Sequence, residues 1–260
     1  MKLYFLGTCG ASTVSDRDNT SFFIESGTHS LLIDCAGSPG QKLLRLQKNP
    51  NDLNLVLLTH LHTDHCYGLP SLLFHMFLNN RSTPLLIGSP AEEFSILETQ
   101  LKAHNLFPIA RIFAVDSLPI SDTPDNVIWE SATMCIRSTP VSHGRPCRAF
   151  RIDEKQSNQS IVISGDTRPS ENLVKLAKDA TLLIHEASFL EINKELAELH
   201  GHSTSKDAGN VAESAGVSHL ALVHFDFNGE FNDLNEFQRE AQQQFHGQVF
   251  IPEDMSCVDI

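Results

Sequence analysis

The chain has 260 residues, 41% of them hydrophobic, and its 19 Lys+Arg against 32 Asp+Glu leave a formal net charge of −13. That length and content suffice for a full core in one large domain. The charge repels a polyanion over most of the surface, so a nucleic-acid partner needs a focused positive patch. Arg145, Arg148 and Arg151 form a local concentration of cations, and they read most simply as the solvated face of a strand. Apolar runs stay far below the ~20 residues that cross a bilayer. The six cysteines (9, 35, 66, 135, 147 and 257) show no paired spacing, which suits a reducing cytoplasm rather than a disulfide framework.

The N-terminus, Met1–Gly7, reads as a first strand and is too short for a signal peptide. Strand-like runs follow at 21–26 and 30–35, then a helical pattern at 39–48 after a Gly-Ser-Pro-Gly turn, then a strand at 54–59. Helical spacing returns at 68–79 and 90–104, on either side of a strand at 84–88. A Pro/Ser/Asp-rich stretch at 116–126 reads as a joint between two similar halves. The second half offers strands at 133–137, 147–152, 160–164, 181–185, 219–225 and 248–251, with helices at 170–179, 188–199, 205–215 and 232–245. Strands opening each half and helices following predict an α+β layered sandwich, two sheets packed together with helices outside.

Residues 59–70, Thr-His-Leu-His-Thr-Asp-His-Cys-Tyr-Gly-Leu-Pro, carry the chemistry. His60, His62, Asp64 and His65 fall within six positions, directly after the apolar run 54–58. In an extended segment, positions 60 and 62 share one side. The turn into a helix brings Asp64 and His65 round beside them. Neutral imidazoles with one carboxylate suit Zn²⁺, and less often Mn²⁺ or Fe²⁺. Three more donors stand where apolar strands give way to loops: His143, Asp166 and His224. All such ends can converge on one edge of a sandwich.

This set resembles the metallo-β-lactamase superfamily, and more narrowly ribonuclease Z and its phosphodiesterase relatives. The likeness covers nearly the whole chain: Gly7-Thr8-Cys9-Gly10, Arg17-Asp18-Asn19-Thr20-Ser21, Leu32-Ile33-Asp34-Cys35-Ala36-Gly37, the metal motif, Ser164-Gly165-Asp166-Thr167, His185-Glu186-Ala187-Ser188-Phe189 and Gly201-His202-Ser203-Thr204. It implies a four-layer αββα sandwich formed by one domain over 1–260. It also implies two Zn²⁺ per chain, one held by His60, His62, His143 and a bridging Asp166, the other by Asp64, His65, Asp166 and His224. Two ions about 3.5–4 Å apart activate a water as hydroxide and neutralise phosphate oxygens. Asp64, beside that water, is then placed to take its proton. His202 is the expected general acid or phosphate clamp, oriented by Glu186 in the family pattern. Thr204-Ser205-Lys206-Asp207 has the form of a capping box, and a helix start also attracts phosphate. His185 reads as a buried structural residue. Tyr67 and Phe225-Asp226-Phe227 adjoin the ligands as candidates to flank a substrate, whereas Phe74, Met76, Phe77 and Leu78 read as core.

The sequence also departs from ribonuclease Z proper. That branch inserts a long basic arm between the third and fourth ligand motifs, but here only Asp153–Ser160, an ordinary hairpin turn, separates the strands between His143 and Asp166. The Ser-x-Arg-Tyr expected after the last histidine is replaced by Phe-Asp-Phe-Asn. The expected function is therefore a dinuclear zinc phosphodiesterase acting on small or flexible diesters, such as cyclic nucleotides or short oligonucleotides. The alternatives are a tRNA 3′-processing endoribonuclease that docks RNA without the arm, an arylsulfatase-like hydrolase, and a metal-bound binding module. The resemblance further implies a homodimer, with the helix after the metal motif as its interface.

Overall fold

Strands β1 (Lys2–Gly7) and β2 (Ser21–Ser26) bury nearly every residue, because both faces of their sheet are covered. Along β1, Leu3 and Phe5 point into one core while Tyr4 and Leu6 point into another. The computed structural model describes residues 1–106, 113–227 and 233–260. The first sheet continues through β3 (His29–Ile33), β4 (Leu55–Leu57), β5 (Leu85–Pro90) and β6 (Val115–Ile120). The second comprises β7 (Asn126–Glu130), β8 (Met134–Val141), β9 (Cys147–Glu154), β10 (Gln159–Ile163), β11 (Leu182–Glu186), β12 (His219–Val223) and β13 (Gln248–Phe250). A last strand, β14 (Cys257–Asp259), returns to pair antiparallel with β1.

Strand orders are β14-β1-β2-β3-β4-β5-β6 and β13-β12-β11-β10-β9-β8-β7. The core between the sheets takes Phe5, Phe22, Leu55 and Leu57 from one side and Ile136, Phe150, Ile161 and Ile184 from the other. Outside the first sheet lie α1 (Pro39–Arg45), α3 (Leu69–Leu78) and α4 (Phe94–Ala103), which contribute Leu43, Leu72 and Leu97 to a second core; the one-turn α2 (Thr63–Cys66) adds Cys66. Outside the second sheet, α5 (Glu171–Leu176), α7 (Ser205–Ala215) and α8 (Leu234–Gln242) contribute Leu173, Val211 and Phe237 to a third; α6 (Lys194–His200) lies between α5 and α7 in the chain. Three cores separating four layers make the αββα sandwich, as expected from the sequence.

Several expectations need correction. The stretch 116–126, read as a joint, supplies most of β6, and β7 begins at its end. Both are edge strands, which tolerate Pro119 and leave Val127 49% exposed, so neither shows a buried-strand pattern. The helix expected over 188–199 starts only at Lys194. Position 232 of the segment 232–245 lies outside the described residues, and α8 begins at Leu234, where the Asp233 side chain accepts from Asn235 N–H. On α3, Met76 is core, but Phe74 and Leu78 are 51% and 59% exposed.

The three arginines do not form a solvated face. Arg148 is 1% exposed and pairs with Glu92 at 2.6 Å, while Arg145 pairs with Glu93 at 2.7 Å. Arg151 caps the backbone, donating to the carbonyls of Leu176 and Lys178 at 3.0 and 2.7 Å. All three are engaged by acceptors of the fold, which weakens them as a patch for a polyanion. Between His143 and Asp166, β9 and β10 pair as a tight hairpin.

Phe150, wholly buried between the sheets, tests the core. Phe150→Ala should cost about 3–5 kcal/mol of unfolding free energy in urea denaturation. Leu44→Ala, at a position 52% exposed, should stay within about 0.5 kcal/mol of the parent.

Candidate metal centre

The seven donors expected from the sequence meet at one edge of the sandwich. β4 ends just before Thr59, and His60 and His62 continue from it, with His62 as the residue preceding α2. α2 turns Asp64 and His65 back onto the same point. His143 comes from the loop between β8 and β9, Asp166 from the exit of β10, and His224 from the exit of β12.

Among the described residues the donors fall into three groups, and two of them contain the seven expected residues. In the first, His62 Nδ1 lies 2.9 Å from His60 Nε2 and 3.1 Å from His143 Nε2. Asp166 Oδ2 stands 3.6 and 3.9 Å from the Nε2 atoms of His60 and His143. In the second, His65 Nε2 and His224 Nε2 are 3.3 Å apart, and Asp64 Oδ2 lies 3.4 and 3.5 Å from them. The same Asp166 oxygen is 3.4 and 3.3 Å from this pair. A tetrahedral zinc with bonds of about 2.0–2.1 Å has ligand–ligand edges of about 3.3 Å, so both groups have the dimensions of a coordination shell. The donors fit divalent metal, and one Asp166 oxygen lies within 4 Å of imidazole nitrogens in both groups.

The ring nitrogens facing the cluster are fixed from behind. His65 Nδ1 is 2.7 Å from Asp34 Oδ2, and His60 Nδ1 is 3.0 Å from Thr59 Oγ1, which itself donates to Asp34. His143 Nδ1 donates to the Gly201 carbonyl at 2.9 Å. His224 Nδ1 lies 3.0 Å from Ser188 Oγ, whose hydroxyl reaches Glu186 Oε2 at 2.8 Å. With Nδ1 occupied, each of these four rings turns an Nε2 lone pair inward. Asp34, Thr59 and Ser188 were not assigned roles by sequence reasoning. Asp34 was visible in the quoted Leu-Ile-Asp motif, but nothing in spacing tied it to a histidine 31 positions on.

Backbone strain collects here as well. Asp34, Gly165 and His224, each just past a strand end, adopt left-handed φ of 56°, 60° and 62°. At Gly165 an added β-carbon would also lie 2.9 Å from Cys147 Sγ, so glycine is required to deliver Asp166.

Protonation follows from burial and neighbours. Burial pulls His60 well below its ordinary value and pushes His62 down to about 4, aided by the adjoining imidazoles. Burial also lowers His143, so these three rings are neutral at pH 7. At His65 and His224 burial acts downward, but the surrounding carboxylates, Asp166 foremost, raise both.

His202 stands beside the cluster. Its Nδ1 is 2.9 Å from Glu186 Oε1 and 4.0 Å from Asp166 Oδ2. Although it forms a further group with Asp166 and His224, its Nδ1 is committed to Glu186. Burial lowers it, yet the Glu186 charge and hydrogen bond, with Asp166, raise it to about 9. Glu186 is 1% exposed and also accepts from Thr167 N–H at 2.7 Å. The capping box of α7 is present, with Thr204 accepting from Asp207 N–H, and it fixes the backbone that follows His202. His185 is fully buried, its Nδ1 facing the Glu186 carbonyl at 2.6 Å.

A cleft of about 690 Å³ opens onto the cluster. Phe189, Leu199, His200 and Asp226 line it together with His62, His143 and His202. The flanking residues expected from sequence are only partly there. Phe225 is fully buried in the outer core, and Tyr67 lines a separate hollow. Leu199 and His200 were missed, although His202 follows two positions on, because nothing in the helical pattern of α6 marks its last turn as facing the cleft.

A family model described as anti-Pycsar protein Apyc1 matches residues 1–241. Ribonuclease Z of Brevibacillus brevis is 30% identical, with 94% of this chain and 92% of the relative covered. Ribonuclease Z of Natronomonas pharaonis is 28% identical, covering 100% and 98%. That second alignment runs over 304 positions against 260 residues here, so the relative has segments this chain lacks. Among solved structures, the metallo-β-lactamase fold protein YhfI from Bacillus subtilis superposes with TM-score 0.83 at 23% identity, covering 99% and 98% of the two chains. The short form of human tRNase Z gives 0.82 at 24%, covering 100% and 99%. Both share the fold.

Removing Asp34 tests the support of the cluster. Asp34→Ala should weaken metal binding about 10–100-fold, read by isothermal titration of metal-free protein, since His65 and Thr59 lose their acceptor.

Proposed function

The chain belongs to the family of the anti-Pycsar protein Apyc1, in the ribonuclease Z-like branch of the metallo-β-lactamase fold, and on that premise we propose that this metal-dependent hydrolase is a dinuclear zinc phosphodiesterase of small or flexible diesters. The observation that carries this reading is the single Asp166 oxygen lying within 4 Å of imidazole nitrogens in both donor groups. His60, His62, His143 and Asp166 would hold one ion, and Asp64, His65, His224 and Asp166 the other. Two such ions supply an activated water and neutralise charge growing on a phosphoryl group.

The protein's own groups do the rest. Asp64 stays ionised, held well below the usual carboxylate range because hydrogen bonds and charge from His65 and His224 outweigh its burial; its proposed part as proton acceptor rests on its place in the cluster and not on basicity. His202, protonated below about pH 9 and held by Glu186, donates a proton to the leaving oxygen or grips a phosphate oxygen. Phe189 and Leu199 offer an apolar wall to a diester substituent. Small diesters are favoured over folded RNA by the tight β9–β10 hairpin and the charge of −13.

The second reading is tRNA 3′-processing, supported by the names of the ribonuclease Z relatives. It predicts cleavage of precursor tRNA, which the first does not. Phe74 and Leu78, exposed on α3, support a homodimer formed on that face. The cytoplasm, suggested by free thiols, is the proposed location.

Hydrolysis of bis(p-nitrophenyl) phosphate by metal-loaded protein tests the reaction class. Turnover should vanish in Asp64→Ala, and Asp166→Ala should lose both metal and activity. His202→Ala should keep two ions and lose on the order of 10²–10⁴-fold in turnover. Full activity in that variant would remove His202 from the mechanism.

The pH profile follows from the same residue. His202 is raised to about 9, so its proton is present at neutral pH and lost as pH climbs through that value. Turnover should fall on the alkaline side there, and Glu186→Gln should move the fall to lower pH. An alkaline limb that does not move assigns it to another group.

A further inference from the structure

His224 occupies the most demanding backbone position among the donors. Its left-handed φ of 62° is one that a β-carbon disfavours, and it persists only if neighbours hold it. Its amide donates to the Thr8 carbonyl at 2.7 Å. The next residue is held in the same way, with Gly10 N–H donating to the Phe225 carbonyl at 3.0 Å. A β-carbon at Gly10 would come within 3.2 Å of the His224 ring, so this segment lies directly against the imidazole. The last donor of the cluster therefore rests on a loop from the opposite end of the chain.

That loop is anchored by the C-terminal tail. Asp254 Oδ1 accepts from Thr8 Oγ1 at 2.7 Å, and its Oδ2 accepts from Asp18 N–H at 2.7 Å. The Asp18 carbonyl in turn accepts the amides of Thr8 and Cys9 at 3.0 and 2.9 Å. One carboxylate thus ties together both sides of the 8–18 loop. Arg17 Nη1 adds bonds to Thr8 Oγ1 at 2.6 Å and to the Pro252 carbonyl at 2.9 Å. Lys42 Nζ meets Asp18 Oδ2 at 2.8 Å from α1. The tail itself is fastened to β1, with Met255 N–H donating to the Phe5 carbonyl at 2.6 Å and Phe5 N–H to Ser256 at 3.0 Å.

We propose that Asp254 is a positioning residue for His224, acting through Thr8 and its carbonyl. It touches none of the reacting atoms. The inference rests on the two-ion reading above and makes an asymmetric demand on it. The ion of Asp64, His65 and His224 loses a well-placed donor when the clamp is cut. The ion of His60, His62 and His143 does not, because its donors come from the ends of β4 and β8, which the tail does not reach.

Stepwise Zn²⁺ affinities of metal-free protein, measured by competition with a chromophoric chelator, test it. The proteins are the parent, His224→Ala, Asp254→Ala, Thr8→Val and Thr8→Ser. His224→Ala identifies which affinity belongs to the second ion. Asp254→Ala and Thr8→Val should each weaken that affinity by on the order of 10-fold or more and leave the other unchanged. Thr8→Ser keeps the hydroxyl and should restore parental binding. Thr8→Val carries the test if Asp254→Ala does not fold. Equal loss at both ions together with a lowered melting temperature, or no loss at the second, overturns the proposal. A parent protein that takes up one ion overturns the two-ion reading, and this inference with it. A parent that takes up two, with unaffected variants, overturns this inference alone.

Discussion

Everything at this edge of the fold is arranged around one carboxylate. Asp166 is 2% exposed, and its Oδ2 lies within 4.0 Å of the ring nitrogens of five histidines. Burying an ionised carboxylate is strongly unfavourable unless positive charge or metal compensates it. Here burial pushes its pKa up, yet His224, His65 and His60 hold it well below the usual range. The oxygen is thus a fixed negative centre about which two sets of imidazoles are distributed.

Placing that centre sets demands on the backbone. The sandwich supplies strand exits on one edge, and the donors stand on those exits. The final angle is reached by departures from ordinary geometry, through glycine at 165 and left-handed turns at Asp34 and His224. Such positions persist because the surroundings over-determine them. Asp34 holds His65 directly and His60 through Thr59; Glu186 holds His202 directly and His224 through Ser188. Asp34 therefore aims one imidazole in each donor group, while Glu186 links His224 of the second group to the proposed acid.

The sequence made the donors legible because six consecutive positions contain four of them, and the other three follow apolar runs. The layered fold was legible from the same runs, whose alternation divides residues between cores, as in Leu3 and Tyr4. What escaped was what depends on contact between distant segments. Ser188 and Asp254 are common residue types with no periodic signature, and their partners lie 36 and 246 positions away. β6 and β7 were hidden because an edge strand buries half as much and tolerates proline. Arg145, Arg148 and Arg151 looked like a surface stripe because their acceptors, Glu92, Glu93 and the carbonyls of Leu176 and Lys178, come from elsewhere in the chain.

The proposed pair of ions places Asp166 Oδ2 within reach of both. Anomalous diffraction at the zinc absorption edge from crystals of the loaded protein tests it most directly. Two peaks about 3.5–4 Å apart, with Asp166 Oδ2 between them and His202 outside both shells, are the expected result. A single peak, or one ligated by His202, would contradict it.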